Sequence, residues 1–565
     1  MEGLSSPGGY LPNQRLPIQE RGLQPRDLAG PSREPRRLVL AIVFTTAVIT
    51  AVSLVGAVSS ASAATLTVCP SGCAFSQIAP AVAAASSGDT IQIAAGTYNG
   101  GFTVTKSISL LGAGAASTTI SGGGPVISIV PGVSVLIAGV SVTGGDTTGF
   151  GGGGINISGN SSVALQASTV SGNTATVDGG GVYNFGGTLS VVASVISGNT
   201  ALHGGGGIFS NGGSATFVQS VVKDNSAGAD AGGIFNCASP QPCTGSNPGG
   251  TLILEKSSVS HNTASVTGGG ISNVGGSVVL RASRISGNAA GFDAGGIDDL
   301  FGGTVALNGS AVSGNTAARD GGGIFNNGSI VELKSSTVSG NTANSDGGGI
   351  YNCATPEPCG AGPMVGATLR LDESAVTDNS AVGSGGGIYN NRGSIALRDS
   401  QVGTNTGFDG GGIVNDGGSA TLEESAVRGN TAAICGGIDT AGDLTLTESS
   451  VTLNTATDRG GGGIRNFGTA TLAESTISGN TDSGSGGGIR NFGTLTLTES
   501  VVTSNTAAFG GGVSNAPVGA VTLNESTVSG NTATVDGGGI LNSSGTITLN
   551  ESQVTGNTPD DCVGC

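Results

Sequence analysis

Tryptophan is absent from this chain of 565 residues, and aromatic residues make up only 4% of it, which excludes a large core packed by bulky rings. Histidine occurs twice, at His203 and His261, and neither stands near a cysteine pair to complete a zinc site. Basic residues are scarce, 20 Lys and Arg against 37 Asp and Glu. Without the first 37 residues, which hold six Arg and four acids, 14 basic residues face 33 acidic ones. A body of that charge excludes nucleic acid and anionic membrane surfaces as partners. Glycine is what abounds, at 107 residues, beside 37% apolar content; a narrow, repetitive core fits both facts.

A frame of Ser-x-(Val/Ile)-x-x-Asn occurs fifteen times, with Asn at 173, 199, 225, 262, 288, 315, 341, 379, 405, 430, 454, 480, 505, 531 and 557. Spacing is usually 24 to 27 residues, the period of a solenoid. Aliphatic residues ten and eight places before each Asn alternate as in a strand (Leu189 and Val191, Leu369 and Leu371). The Ser and the Val/Ile stand five and three places before it, so the inward phase flips and the chain bends there. A third apolar anchor follows each Gly run (Val182, Ile208, Ile350). The pattern predicts three short strands per coil of about 26 residues. Stacked Ser and Asn rows would hydrogen-bond along the axis, and the Gly runs would serve positive φ or close backbone approach. About 18 coils at ~4.8 Å each give a length on the order of 85 Å.

Residues 1–37 form a polar, Arg-containing segment, and 38–64 an apolar run ending in Ala61-Ser62-Ala63, read as a signal peptide with its cleavage site or a retained membrane anchor. The N-terminal cap and first coils occupy 65–160, the regular coils 161–558, and a Cys-containing tail 559–565. Either reading of the apolar run exports the body, to be secreted or held at the cell surface, with membrane contact only through that segment. Four short-range cysteine pairs, Cys69/Cys73, Cys237/Cys243, Cys353/Cys359 and Cys562/Cys565, read as disulfides of an exported chain, leaving Cys435 alone.

Gly347 to Asn352 (GGGIYN) and Val170-Ser-Gly-Asn173 resemble the GGA(I/L/V) and FxxN repeats of polymorphic outer-membrane proteins, with Val or Ile for Phe and Gly for Ala. The segment Ser76 to Ala85, followed by GDTIQIAAGTY (Gly88 to Tyr98), resembles the N-terminal capping helix and first coils of the same pectin-lyase-like class. The resemblance implies an all-β, single-stranded right-handed parallel β-helix over roughly 65–560. It implies no single function, because the superfamily spans lyases, hydrolases, esterases, adhesins and passenger domains. The chain stops at Cys565, so the membrane β-barrel that ends an autotransporter is expected to be absent.

Chemistry is sought where the frame breaks. Asp298-Asp299 and Asp439 replace the usual residues after the apolar anchor. They are candidate catalytic carboxylates, although adjacent Asp residues project to opposite sides of a strand and only Arg281 and Arg284 lie near in sequence. The plain alternative makes them solvated turn acids. Insertions at 237–249 and 353–365 widen the spacing to 37 and 38. They bracket a column of aromatics set as outward residues, Tyr183, Phe209, Phe235, Phe325, Tyr351 and Tyr389. That column is a candidate carbohydrate platform, or a set of rings stacking on one another.

An acid stands six places before the Asn in eight consecutive coils: Glu373, Asp399, Glu424, Glu448, Glu474, Glu499, Glu525 and Glu551. It reads as a Ca²⁺-bridged row or a solvated acidic edge. A Thr row (Thr421, Thr445, Thr471, Thr496, Thr522, Thr548) resembles the arrays of ice-binding solenoids. Asp residues before the Gly runs (Asp178, Asp320, Asp346, Asp409, Asp536) read as turn chemistry. The first expectation is an exported, non-catalytic surface or adhesive module binding a polysaccharide or the cell envelope, with Ca²⁺ as the one candidate cofactor. The alternative is a polysaccharide lyase or glycoside hydrolase, and the third an ice-binding solenoid.

Overall fold

The computed structural model describes residues 63–149, 151–237, 250–354, 366–458 and 460–565. The N-terminal polar and apolar segments up to residue 62, together with Cys243 and Cys359, lie outside them. The unit from Ala61 to Cys565 is a parallel β-solenoid of about 18 turns, built on the period of the Asn frame. Each regular coil carries four strands rather than the three expected. In one coil these are Ser162–Gln166, Thr169–Ser171, Thr174–Ala175 and Val182–Phe185, in sheets 1 to 4 respectively. Strands of successive coils pair in parallel, as Val163 with Leu189 and Leu189 with Ala215. The extra strand spans only two residues in all but its last two copies, which run Thr506–Phe509 and Thr532–Asp536, and two residues are too few to show alternation. Sheet 3 begins at Asp146–Thr147, so the first coils turn that corner without it.

The interior is filled by the aliphatic rows of sheets 1, 2 and 4, exemplified by Leu165, Val170 and Ile208, all fully buried. At the first coil the helix Ile78–Ala84 buries Ile78, Ala81 and Val82, where the capping helix was expected.

Four corners close each coil. Between sheets 1 and 2 the residue six places before the Asn takes a left-handed conformation, from Ala167 (φ 44°) to Glu551 (φ 51°). The bend expected from the phase flip falls there. The following Ser is buried, and its hydroxyl accepts the amide of the Ser one coil earlier, as Ser168 N–H to Ser194 Oγ at 3.1 Å. At the next corner the Asn row forms a ladder. Asn199 Oδ1 accepts the backbone N–H and the Nδ2 of Asn173, at 3.1 and 2.9 Å. Asn199 in turn donates from Nδ2 to the Val170 carbonyl and to Asn225 Oδ1. Amides at a buried bend are thus satisfied coil by coil. The row ends at Asp561, whose Oδ1 accepts both the backbone N–H (2.8 Å) and the Nδ2 (3.1 Å) of Asn557.

The Gly run at the third corner serves close approach. A Cβ on Gly180 would stand 2.5 Å from the Thr200 carbonyl oxygen, and one on Gly181 would stand 2.9 Å from Asn199 Nδ2. The side-chain ladder can lie inside the bend only because the facing residue has no side chain of its own.

Among the described residues, disulfides join Cys69 to Cys73 and Cys562 to Cys565, and Cys435 is free and buried. Cys237 and Cys353 are also disulfide-bonded.

Candidate functional site: a break in the aromatic stack

Sheet 4 positions the residues singled out from the sequence. Its first residue in each coil, such as Ile208, points into the core, and its second, such as Phe209, points the other way. That second position was read as outward and accessible, yet Phe209 and Phe325 are 2% and 1% exposed. The segment joining sheets 3 and 4 folds over this face and covers it. Tyr183, Phe209 and Phe235 stack at 5.4 and 4.8 Å between centroids, and Phe325, Tyr351 and Tyr389 at 5.1 and 5.0 Å. Within each stack the ring faces are occupied by neighbouring rings.

Between the two stacks the column carries Ser272 and Asp298, in register with Phe235 before and Phe325 after. Two rings are missing, and a cavity of about 390 Å³ stands at the break. Asp298, Leu300 and Phe325 line its sheet side, and Val266, Phe292 and Arg319 line it from the covering segment. Asp298 is 1% exposed. Its Oδ2 accepts the Thr267 hydroxyl at 2.7 Å, whereas its Oδ1 has no partner, and neither does the buried hydroxyl of Ser272. Burial pushes the Asp298 carboxyl well above the usual range, with Asp230 and Asp293 adding repulsion.

Asp293 is held by Arg319, which donates from Nε to Oδ1 at 2.8 Å and from Nη2 to Oδ2. Burial still raises its pKa above the ordinary carboxylate value. Asp230, raised by the same cause, faces the Thr267 amide at 3.4 Å. Arg319 lies 5.7 Å from the Phe292 ring centroid. Sequence reasoning missed Arg319 and looked to Arg281 and Arg284 instead. Its signal was an arginine immediately before the Asp320 that precedes a Gly run, a position one coil from Asp293 that only stacking brings close.

Asp299 does not share this cavity. It projects to the opposite side of its strand, where Asn184, Asn236, Asn273, Asn326 and Asn352 form a second amide row, and accepts Asn273 Nδ2 at 2.7 Å. Burial places its pKa well above the usual range too. Neither aspartate of the pair is a solvated turn acid, since both are inaccessible. Their side chains point apart, as adjacent strand residues must.

Asp439 belongs to another cluster. Arg465 donates to both its oxygens, at 2.8 and 2.6 Å, and also binds Asp409. Desolvation, then repulsion by Asp439, raises Asp409 to about 6 despite Arg465. The buried Cys435 thiol is pushed up by desolvation and by the same two acids. Arg465 lies 5.2 Å from the Phe467 ring centroid, and Phe467 stacks on Phe492 at 4.6 Å.

The eight acids from Glu373 to Glu551 are all exposed and all left-handed, with φ between 46° and 51°. They stand one per coil at the corner of sheets 1 and 2. A hydrogen bond with Asp399 is the main cause that raises Glu424. Among the described residues no three His, Cys, Asp or Glu side chains converge as a metal site. The Thr residues from Thr421 to Thr548 stand in register on sheet 1. The acids before the Gly runs do turn chemistry: Asp320 Oδ1 accepts the Asp346 amide at 3.0 Å, and Asp346 Oδ1 the Ser384 amide at 2.6 Å.

No curated protein matches the chain by sequence. Among solved structures it is similar to the A-module of the Azotobacter vinelandii mannuronan C-5 epimerase AlgE6, at 13% identity and a TM-score of 0.25, covering 85% of this chain and 94% of that one. A substituted form of the PL6 family alginate lyase AlyGC matches at 11% identity and a TM-score of 0.28, covering 86% and 98%. A family model, the Chlamydia polymorphic membrane protein repeat, matches residues 335–353, part of one coil; the chain is a parallel β-solenoid that carries this type of repeat.

Proposed function

We propose that the chain is an exported, non-catalytic solenoid whose faces act as a surface, adhesive toward a polysaccharide or cell-envelope component. The observation that supports this most directly is that two of the three acids at the frame breaks, Asp299 and Asp439, serve the fold, as does the neighbouring Asp293. Asp299 sits in an amide row, Asp439 is clamped by Arg465, and Asp293 is clamped by Arg319. A general acid and base must both reach one substrate bond, and Asp298 and Asp299 occupy opposite sides of a strand. The polymorphic membrane protein repeat and the disulfides support an exported, surface location. Whether the N-terminal segment is cleaved or retained decides between secretion and anchoring, and N-terminal sequencing of the exported chain reads it directly.

Incubation of the full chain with a panel of acidic and neutral polysaccharides tests the reading. Retention on one or more immobilised polymers without release of unsaturated or reducing ends is the expected result. Cleavage that Asp298→Ala abolishes would overturn it in favour of a polysaccharide lyase or hydrolase.

A further inference from the structure

At the break in the aromatic stack the covering segment encloses open space where the flanking coils carry rings. Its sheet side carries one buried polar atom with unmet hydrogen-bonding capacity, Asp298 Oδ1, and the Ser272 hydroxyl, buried and likewise unpartnered, stands on the strand before it in register with Asp298. In the flanking coils the same positions are Phe235 and Phe325, so the polar residues stand exactly where packing would favour a ring and where burial charges most for an unpaired oxygen. Three acids, Asp230, Asp293 and Asp298, line the cavity against one guanidinium, Arg319, which is already committed to Asp293. Phe292, half exposed, and the partly exposed Val266 stand on the covering side and leave an apolar lip open to solvent.

We infer that this cavity binds a primary ammonium group carried on a short apolar stem, the ammonium donating to Asp298 Oδ1 and the stem lying between Phe292, Leu300 and Phe325. The ligand's charge follows from the lining. Two acids without a committed cation exclude an anion. A neutral hydroxyl could satisfy Asp298 Oδ1 but would do nothing for its carboxylate form, which burial disfavours and a bound ammonium stabilises. A bare metal ion is disfavoured because no three acidic or imidazole side chains converge on one point among the described residues. An ammonium presents three donors at a single charge, and an adjacent phenyl face adds cation–π attraction. The stem's length follows from the volume, about 390 Å³, within the range of small-ligand sites. This site is independent of the proposed adhesive role, since it uses one cavity rather than the repeated faces.

Calorimetric titration of the full chain with n-butylammonium, and with n-butanol as the neutral isostere, tests it. Binding of the amine, with the alcohol weaker by about tenfold or more, is expected. Nα-acetyl-lysine amide then tests a lysyl side chain as the natural source of such a group, and D-glucosamine, whose ammonium sits on a polar ring, should bind more weakly. Asp298→Asn preserves shape and cannot take up a charge beside the ammonium, so it should keep the melting temperature and lose the amine by about tenfold or more. Ser272→Phe restores a ring to the gap and should abolish binding by filling it, which decides the matter should Asp298→Asn fold poorly. Equal binding of amine and alcohol, no binding of either, or full amine binding by both variants would overturn the inference.

Discussion

Asp299 and Asn326 stand opposite each other on adjacent strands of sheet 4, and each holds a buried side-chain oxygen, Oδ2 and Oδ1, without a hydrogen-bond partner. Along this row the Nδ2 of one coil donates to the Oδ1 of the next, as Asn273 does to Asp299, and an ionised Asp299 has no donor to offer Asn326. Elsewhere in the row an amide does this work, as Asn326 Nδ2 donates to Asn352 Oδ1 at 2.6 Å. Asp299→Asn supplies that amide permanently. It is expected to raise stability at pH 7 by about 1–3 kcal/mol, the cost of an unsatisfied buried group, read by urea denaturation. A loss of stability would place Asp299 in a role that needs its charge.

The buried acids give the whole unit an acid-favoured stability. Asp298, Asp299, Asp293 and Asp409 all have folded pKa values raised first by burial, Asp409 to about 6. The unfolded chain gives up these protons near pH 4. Between that value and the folded pKa the native state holds more protons, so stability falls as pH rises. The melting temperature should therefore be higher near pH 5 than at pH 7.5. Asp409→Asn should flatten the part of the slope between about 4 and 6.

The first amide ladder is the strongest test of the scaffold. Asn341 Oδ1 accepts the Asn315 backbone N–H and Nδ2, both at 2.9 Å, and its own Nδ2 donates to Val312 and Asn379. Asn341→Ala strips partners from groups on both neighbouring coils. A loss on the order of 3 kcal/mol is expected, against about 1 kcal/mol for Ser336→Ala, whose hydroxyl accepts one amide.

The acidic row separates two readings by salt. As a solvated edge of like charges it is screened by any ion, so NaCl and CaCl₂ at matched ionic strength should raise the melting temperature equally. A further rise with millimolar Ca²⁺ would show that the row bridges calcium.

Cys435 is buried beside Asp409, Asp439 and Arg465. Its thiol should resist maleimide labelling in the native protein and react at once after denaturation, a difference that mass spectrometry reads directly.

The scaffold was legible because each of its residues repeats. Fifteen copies placed Ser, Val/Ile and Asn on buried or corner rows without any knowledge of the fold. Sheet 3 escaped because Thr174–Ala175 and most of its copies offer only two residues each. The burial of Phe209 escaped because alternation says which side of a strand a residue takes, not what lies over that side. Arg319 escaped because its partner Asp293 is 26 residues away in sequence and adjacent only after coils stack. Asp299 looked like an interruption, yet it keeps the place of an asparagine within a row.

Asp561 has a consequence for assembly. In an open amide ladder the last Asn is left with an unmet donor at the end of the row. Here a carboxylate already accepts from Asn557. The short strand Cys562–Val563 also pairs along the last strand of sheet 4. A second copy arriving at this end finds the asparagine seam already sealed.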